Sequence, residues 1–565
     1  MRWKAILFLM AIMLFVAGCS GGRTGRQEMS STPAERNSSE NNGGSQKEGE
    51  DQSVSSSVKD DINRGTLVRM WGDPPSLDPH ITTDATSATI LVEVFGGLVT
   101  IDPDLNIIPD LAESWDISPD GRTYTFRLRK EAKFHNGKAV TAEDVKWSLE
   151  RATDPSTESP VVDQYLGDIV GVKEKLRGEA QELSGVNVVD AHTIDITIDA
   201  PKSYFLAKLT YPTGFVLDRE NVQTGRRWFR TPNGTGPFKL TEYVPGETMV
   251  LDRNEFYHLG PPHLNSVRFI LSGGTSMLMY ENDEIHLTGV GLADLDQLLD
   301  PNNPLNSELH RAPPQFSIDY IGMNVNEPPF DDTKVRLALN YAIDRDEIAR
   351  IVLADQVIPA KGILPPGLPG YNPNVSGYEF NPTKAQQLLR ESKYGEALAN
   401  GSFPRIILTT AGSFGAAVGL DLEVILQMWE EHLGITVEIQ QTEFATYLQD
   451  LNRHRFQMFN IGWIADYPDP ENFLDVLFHG DSSTNHTRYH NAQVDAILEK
   501  ARIEQDQELR YSFYHEAEEL IMNDPPWVPL WNSGEQYLLI KPYIKGYQLT
   551  PLIVPKLRFV TFANK

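Results

Sequence analysis

Apolar positions follow strand-like and helix-like periods in alternation along most of the chain, beginning at residue 66. Alternating or continuous apolar runs predict strands at residues 66–70, 124–128, 192–199, 248–251, 267–271 and 435–439. Helical spacing predicts helices at residues 141–151, 334–353 and 420–433. Thr141 and Asp144 form a capping-box-like start, and Gly434 is suited to a helix C-terminus. Helices and strands that alternate in this way predict an α/β class.

The first nineteen residues have the pattern of a secretory signal. Arg2 and Lys4 precede an apolar run at residues 5–17, which is shorter than the roughly 20 residues that a membrane span needs. Residues 16–19 (Val-Ala-Gly-Cys) resemble the bacterial lipobox, in which cleavage leaves an acylated cysteine. Cys19 is the only cysteine in the sequence, so it cannot form an internal disulfide. We therefore expect residues 1–19 to be a lipoprotein signal peptide with Cys19 as the lipid attachment site.

Residues 20–64 are rich in Ser, Gly, Asn, Gln and Glu and contain almost no aliphatic side chains. Such a segment buries too little apolar surface to offset the entropy of ordering, so a disordered tether is predicted. A tether between a lipid and a large soluble region predicts a protein anchored at the outer face of the bacterial cytoplasmic membrane or in the periplasm.

Charge and motif content narrow the function classes. The formal net charge is -28, from 78 acidic and 50 basic residues, which disfavours nucleic acid as a partner. The chain has no Gly-x-Ser-x-Gly, no His-Glu-x-x-His and no phosphate-binding loop. We therefore expect a binding protein without a cofactor rather than an enzyme, with a secreted hydrolase as a remote alternative.

Four segments, in order along the chain, resemble the family 5 extracellular solute-binding proteins of ABC importers, which include oligopeptide-, dipeptide- and nickel-binding members. The resemblance is closest to the peptide-binding members. The segments are residues 111–145 (from Leu-Ala-Glu-Ser-Trp to Thr-Ala-Glu-Asp-Val), 234–254, 324–345 and 462–473 (Gly-Trp-Ile-Ala-Asp-Tyr-Pro-Asp-Pro-Glu-Asn-Phe).

The resemblance implies a two-lobed periplasmic-binding-protein-like fold with an inserted subdomain and two hinge crossings. The first lobe is expected to be discontinuous, with residues 65–85, 209–318 and 530–565. The inserted subdomain is expected at residues 86–208 and the second lobe at residues 319–529.

The resemblance also implies that an extended peptide lies in the cleft and is held by its backbone as an added strand. An aspartate at the position of Asp466 pairs with the ligand's α-amino group in relatives, because an unpaired ammonium in a closed cleft is costly. Gly462 and Ile464 are expected to offer backbone groups, and Trp463 to wall a side-chain pocket. Asp469 precedes Pro470 at a helix start and is interpreted as structural.

Residues 73–75 (Asp73, Pro74 and Pro75) align with the first-lobe segment that faces the ligand in relatives. Proline lacks an N–H group, so pairing here needs carbonyls or other residues. Asn460 stands where some oligopeptide binders have an arginine, so this position cannot provide that positive charge.

The function implied is capture of oligo- or dipeptides and their delivery to an ABC permease and its ATPase by a monomer. Two alternatives stay open. One is a binding protein for nickel or metal complexes, because His479, His486 and His490 lie close in sequence. Residues 480–485 have the composition of a loop, which favours solvated polar side chains instead. Oligosaccharide binding, with Trp faces for stacking, is the other.

Overall fold

Three β-sheets of four or more strands organise the part of the protein that the structure, a computed structural model, describes: residues 65–412 and 417–563. The predicted signal peptide, the lipidation site at Cys19 and the tether lie outside the described residues.

The first lobe is built on a seven-stranded sheet. Its strands, in spatial order, are Leu309–Ala312, Gln536–Ile540, Leu287–Gly289, Thr66–Met70, Ser266–Ile270, Thr248–Arg253 and Phe238–Val244. Thr66–Met70 pairs in parallel with both of its neighbours. Leu67 and Val68 point to opposite faces and are both fully buried, which explains the continuous apolar run at this strand.

The second lobe is built on a six-stranded sheet. Its strands, in spatial order, are Val357–Pro359, Trp527–Ser533, Ser317–Met323, Met458–Ile464, Ile406–Ala411 and Val437–Thr442. Along Ser317–Met323, Ile318 and Tyr320 enter one hydrophobic core while Ile321 and Met323 enter another. This two-residue period places cores on both faces of the sheet.

A four-stranded antiparallel sheet forms a third part together with the helices that share its hydrophobic core, among them Val162–Leu166 and Phe205–Lys208, and we call this part the insert. Its strands, in spatial order, are Ala112–Ile117, Thr123–Leu128, Thr193–Thr197 and Val186–Asp190. Helix Ala142–Ala152 covers the sheet and begins with a complete capping box at Thr141 and Asp144. Tyr467, which belongs to the chain segment of the second lobe, is buried in the same hydrophobic core as the insert.

The remaining elements connect and cover these sheets. Two small sheets pair Val99–Ile101 with Ile107–Pro109 and Ile544–Lys545 with Thr561–Phe562. The other α-helices are Ala85–Val94, Val162–Leu166, Val172–Leu176, Phe205–Lys208, Arg219–Val222, Ser276–Glu281, Leu292–Leu299, Thr333–Tyr341, Arg345–Glu347, Pro382–Glu391, Gly395–Ala399, Leu420–Leu433, Phe444–Asn452, Glu471–Phe478, Ala492–Ile503 and Gln507–Asn523.

The chain crosses between the two large sheets twice. It leaves strand Leu309–Ala312 and enters Ser317–Met323, and it returns from Trp527–Ser533 to Gln536–Ile540. The two strands that leave and return are hydrogen-bonded neighbours in each sheet. Two adjacent crossings are the geometry of a hinge, so the predicted two-lobed α/β class is confirmed.

Most predicted elements lie where the sequence pattern puts them, including Thr66–Met70 and Leu420–Leu433 with Gly434 as its left-handed C-cap. The single helix predicted over residues 334–353 is wrong. The structure has Thr333–Tyr341, then a break, then Arg345–Glu347 and a π-helical turn at Ile348–Val352. The break arises because the Asp344 side chain accepts a hydrogen bond from the Glu347 backbone and starts a new helix there.

Across residues 65–412 and 417–563, none of the helices combines the length and the apolar character that a membrane crossing requires.

We predict that Gly322→Ala destabilises the hinge strand. Gly322 pairs with Phe459, and a Cβ there would collide with the Phe459 ring, which is buried among Tyr320 and His486. Overpacking of this kind costs about 1–3 kcal/mol. Urea unfolding followed by circular dichroism measures the loss.

Gly289→Ala is the matched control, because Gly289 also lies in a strand but a Cβ there would have nothing within 4 Å. Its effect on the free energy of unfolding should stay within about 0.5 kcal/mol. Equal stability of Gly322→Ala and the unmodified protein would contradict tight packing at the hinge.

Candidate functional site

The predicted ligand segment lies at the carboxyl end of strand Met458–Ile464 and in the turn that follows it. The turn is fixed by Asp469, which accepts a hydrogen bond from the Glu471 backbone at 2.9 Å. The Asp469 carboxylate also forms a two-point ion pair with Arg510, at 2.6 and 2.8 Å. Asp469 therefore has a structural role, as its sequence context predicts.

Asp466 lies where the second lobe meets the insert. The hydroxyl of Tyr165, from the insert, donates a short hydrogen bond to Asp466 Oδ2. The side-chain amide of Asn472 donates to the same oxygen at 3.2 Å, and its carbonyl oxygen accepts from the Asp466 backbone at 2.9 Å. Both side-chain donors reach Oδ2, so Oδ1 takes part in neither contact. The carboxylate is thus oriented by one group from the insert and one from the second lobe.

The electrostatic setting of Asp466 favours a cationic partner. Burial raises the pKa of this carboxyl to about 6, although the hydrogen bonds from Tyr165 and Asn472 pull it down. Burial, followed by the nearby Asp466 charge, holds the pKa of the Tyr165 phenol well above its ordinary value, so Tyr165 remains a donor. A desolvated carboxylate with a raised pKa gains free energy when an ammonium group approaches it.

A stacked pair of aromatic rings positions the Tyr165 hydroxyl. The rings of Tyr165 and Tyr211 are nearly parallel, with centroids 3.9 Å apart. The Tyr211 hydroxyl donates to the Thr82 carbonyl oxygen at 3.3 Å, which ties the pair to the first lobe.

Strand Met458–Ile464 offers a backbone edge next to Asp466. On one side it pairs with Ser317–Met323 along its whole length. On the other side its register with Ile406–Ala411 includes only Met458 and Phe459. The edge beyond Phe459, including Gly462 and Ile464, is therefore outside that ladder and can accept an extended chain.

Trp463 and Gly462 also have contacts within the second lobe. The Trp463 indole N–H donates to the Asn472 side-chain oxygen at 3.2 Å, and the ring is partly buried. Gly462 lies opposite Asp319, whose carboxylate occupies the space that a Cβ would need. Trp463 therefore helps to fix Asn472, the residue that in turn holds Asp466.

The predicted first-lobe residues, Asp73 to Pro75, have different surroundings in the structure. Asp73 accepts hydrogen bonds from the Tyr243 hydroxyl and the Gly246 backbone, both at 2.7 Å, and so is engaged within the first lobe. Pro74 is buried. Pro75 lines a cavity of about 570 Å³ that also touches Phe229 of the first lobe and Leu448 and Arg453 of the second. Pro75 is therefore the member of this segment that faces the interlobe space.

Sequence reasoning missed Tyr165 and gave no role to Asn472. Asn472 belongs to the segment at residues 462–473 that resembles the family, so this segment could have pointed to it. Tyr165 is 301 positions from Asp466, and no local pattern marks it.

The three histidines do not converge on one point. Each ring has a different partner. His479 Nε2 is 3.7 Å from a Glu499 carboxylate oxygen, His486 Nε2 is 3.1 Å from Asn452 Oδ1, and His490 Nδ1 is 3.0 Å from Asp495 Oδ2. In the described part of the chain, no group of three or more His, Cys, Asp or Glu side chains is arranged to hold a metal ion.

Known protein families and relatives match most of this chain. The sequence model of the bacterial extracellular solute-binding proteins, family 5, matches residues 106–485. The periplasmic oligopeptide-binding protein OppA of Escherichia coli is 31% identical over 498 residues, which cover 85% of this chain and 89% of OppA.

Solved structures extend the comparison to the fold. The murein tripeptide binding protein MppA of Escherichia coli superposes with a TM-score of 0.80 at 29% identity, covering 88% of this chain and 99% of MppA. The unliganded open form of MppA, at 29% identity and with 89% and 98% coverage, gives a TM-score of 0.62. OppA of Haemophilus influenzae in complex with RPPGFSPFR gives 0.79 at 26% identity, covering 89% and 99%. The chain belongs to the bacterial extracellular solute-binding proteins of family 5.

Proposed function

We propose that this protein captures short peptides in the interlobe cleft, as the substrate-binding component of an ABC importer. The observation that carries the proposal is the Asp466 carboxylate, oriented by Tyr165 across the cleft and adjacent to a strand edge. A carboxylate at the end of a backbone edge matches the two general features of any free peptide, a main chain and a terminal ammonium.

The strand edge supports recognition that does not depend on sequence. Backbone groups beyond Phe459 can exchange hydrogen bonds with a ligand main chain, which is the same for every peptide. Ligand side chains would then alternate between faces, as in any strand. The cavity of about 570 Å³ beside Pro75 has both polar and apolar walls, including Leu448, Gln449 and Arg453. Waters in such a space can complete the hydrogen bonds of varied side chains.

Asp466 supports recognition of a free amino terminus. An ammonium group within hydrogen-bond distance of Oδ1 would neutralise the carboxylate without displacing Tyr165 or Asn472 from Oδ2. The pairing is worth more here than in water because the site is largely removed from solvent.

The conformation supports a closing mechanism. The described chain resembles one MppA structure more than the unliganded open form of the same protein. A ligand that contacts both Asp466 and the first lobe or insert favours the closed arrangement, because it adds contacts only there. Movement about the two strand crossings would release the ligand to a permease.

Anchoring at the membrane is part of the proposal and rests on sequence. Cys19 follows Val-Ala-Gly after the apolar run, and residues 20–64 would link the lipid to the lobes. Acylation at Cys19 would keep the protein beside its permease and ATPase.

We predict that Asp466→Asn weakens binding of the tripeptide Ala-Ala-Ala at least tenfold, or about 1.4 kcal/mol. The substitution keeps the side-chain shape but removes the charge that faces the ligand ammonium. Isothermal titration calorimetry of both proteins measures the change. Asp346→Asn, at an exposed position of the second lobe, is the charge-matched control and should leave affinity unchanged.

N-acetylation of the same tripeptide should reduce its affinity for the unmodified protein by a similar factor, since the ammonium is lost. Acetyl-Ala-Ala-Ala should also bind equally to the unmodified protein and to Asp466→Asn. Equal affinity of the free and acetylated peptides for the unmodified protein would exclude an ammonium anchor.

The affinity for Ala-Ala-Ala should fall as the pH drops through about 6, where the Asp466 carboxyl of the empty protein takes up a proton. Binding of an ammonium favours the ionised carboxylate, so complex formation releases a proton below that pH and affinity declines up to about tenfold per unit. Affinity should decline again above about pH 8, where the free peptide loses its charge. Asp466→Asn should not show the decline of affinity at low pH, which we call the acidic limb of the pH profile. Titrations from pH 4.5 to 9 test both declines.

Tyr165→Phe should move that acidic limb to higher pH. The substitution keeps the ring stacked on Tyr211 but removes the hydroxyl that stabilises ionised Asp466, so the pKa of Asp466 rises further. Tyr280→Phe removes a hydroxyl that donates to Glu308 within the first lobe and should leave the limb in place. An unshifted limb in Tyr165→Phe would show that the Tyr165 contact does not tune Asp466.

A further inference from the structure

A second polar contact joins the insert to the second lobe, separate from the contact between Tyr165 and Asp466. The ammonium of Lys208, in the insert, lies 2.8 Å from Glu471 Oε1, in the second lobe. The same ammonium is 3.1 Å from Asp168 Oδ2, within the insert. The Lys208 and Glu471 side chains are only 5% and 4% exposed. Burial raises the pKa of the Glu471 carboxyl, and the Lys208 ammonium opposes that rise and favours the ionised form.

Within the described chain, Lys208 contacts two carboxylates, whereas Glu471 contacts a single ammonium group. Asp168 also pairs with Lys202 at 2.6 Å, and burial of Asp168 is outweighed by these two ammonium groups, which lower its pKa to about 2. Glu471 has Lys208 on one oxygen and the Tyr467 hydroxyl on the other. The neighbouring Asp475 is committed to Arg502, with two contacts of 2.7 Å. Lys208 therefore retains a carboxylate if Glu471 is removed, whereas Glu471 loses its ammonium contact if Lys208 is removed.

The surroundings of the pair belong to the lobe boundary. A cavity of about 190 Å³ lies there, with walls that include Lys208, Glu471, His479 and Arg502. Close by, the Thr484 hydroxyl donates to the Gln164 side chain at 2.7 Å, again from the second lobe to the insert. Separation of the lobes would expose both members of the pair to water, and closure would bury them together.

We propose that Lys208 and Glu471 form a charge-matched latch, in which lobe closure is disfavoured when the Glu471 carboxylate is buried without the Lys208 ammonium. Neither residue need touch the ligand. Burying two opposite charges together costs little net free energy, but burying one without its partner costs much more. The pair therefore acts on ligand affinity through the population of the closed state, an inference that rests on the proposed function.

The test compares four proteins: unmodified, Lys208→Met, Glu471→Gln, and the double variant. Affinity and dissociation rate for Ala-Ala-Ala are measured by surface plasmon resonance, and folding is verified by thermal melting. Lys208→Met should weaken binding at least tenfold, mainly through faster dissociation, because Glu471 is then buried without its cation. Glu471→Gln should have a smaller effect, about threefold, because Lys208 keeps Asp168 and the new amide still accepts from Tyr467.

Non-additivity is the decisive readout. The double variant should bind at least threefold more tightly than Lys208→Met alone, because it contains no uncompensated carboxylate at this position. Lys138→Met is the matched control: Lys138 makes an equally short contact, 2.8 Å to Asp218, between the insert and the first lobe. It should leave affinity unchanged. Single effects that simply add in the double variant, or unchanged affinity in Lys208→Met, would overturn the latch.

The failure of the proposed function would be recognised separately. If the unmodified protein binds no peptide, the proposed ligand is wrong, and the latch is then tested without ligand by small-angle X-ray scattering. Lys208→Met should show a larger radius of gyration than both the unmodified protein and the double variant. Equal radii would overturn the proposal in that case.

Discussion

The candidate site is centred on a carboxylate that is held between two parts of the chain. Asp466 is removed from water, which is unfavourable for its charge, and donors from Tyr165 and Asn472 compensate only in part. The remaining electrostatic deficit is what a cationic ligand group can satisfy. In the proposed function, binding energy and lobe closure share one physical origin, because Tyr165 comes from the insert and Asp466 from the second lobe.

The same balance recurs at Lys208 and Glu471, where both charges come from the protein itself. The two sites differ in what completes them. At Asp466 the positive charge would come from outside, whereas at Glu471 it comes from the insert. The chain is strongly acidic, with a net charge of -28, and at this boundary a cation of the insert meets a carboxylate of the second lobe.

The hinge explains how these contacts can form and break together. Two neighbouring strands pass from one large sheet to the other, so rotation of the lobes can be accommodated at these crossings. Apolar contacts also cross the boundary, because Tyr467 lies in the core of the insert and Ile101 lies in a core of the second lobe. Rotation would therefore change these contacts as well as the polar ones.

Local sequence patterns were sufficient to predict most of the elements and the α/β class. The apolar run predicted strand Thr66–Met70, and the capping box at Thr141 predicted the start of the insert helix. Both predictions succeeded because each feature depends on residues that are close in sequence. A motif that resembles the family pointed to Asp466. The prediction of a single helix over residues 334–353 was wrong because the apolar spacing does not account for the new helix start at Asp344.

The distant groups that complete the candidate site could not be identified before the fold was known. Tyr165 reaches Asp466, and Lys208 reaches Glu471, through the packing of one part of the fold against another. Such contacts have no local signature, because a hydroxyl or an ammonium at one position carries no record of the residue it will meet. Desolvation, which raises the pKa of Asp466, likewise exists only after that packing has removed water.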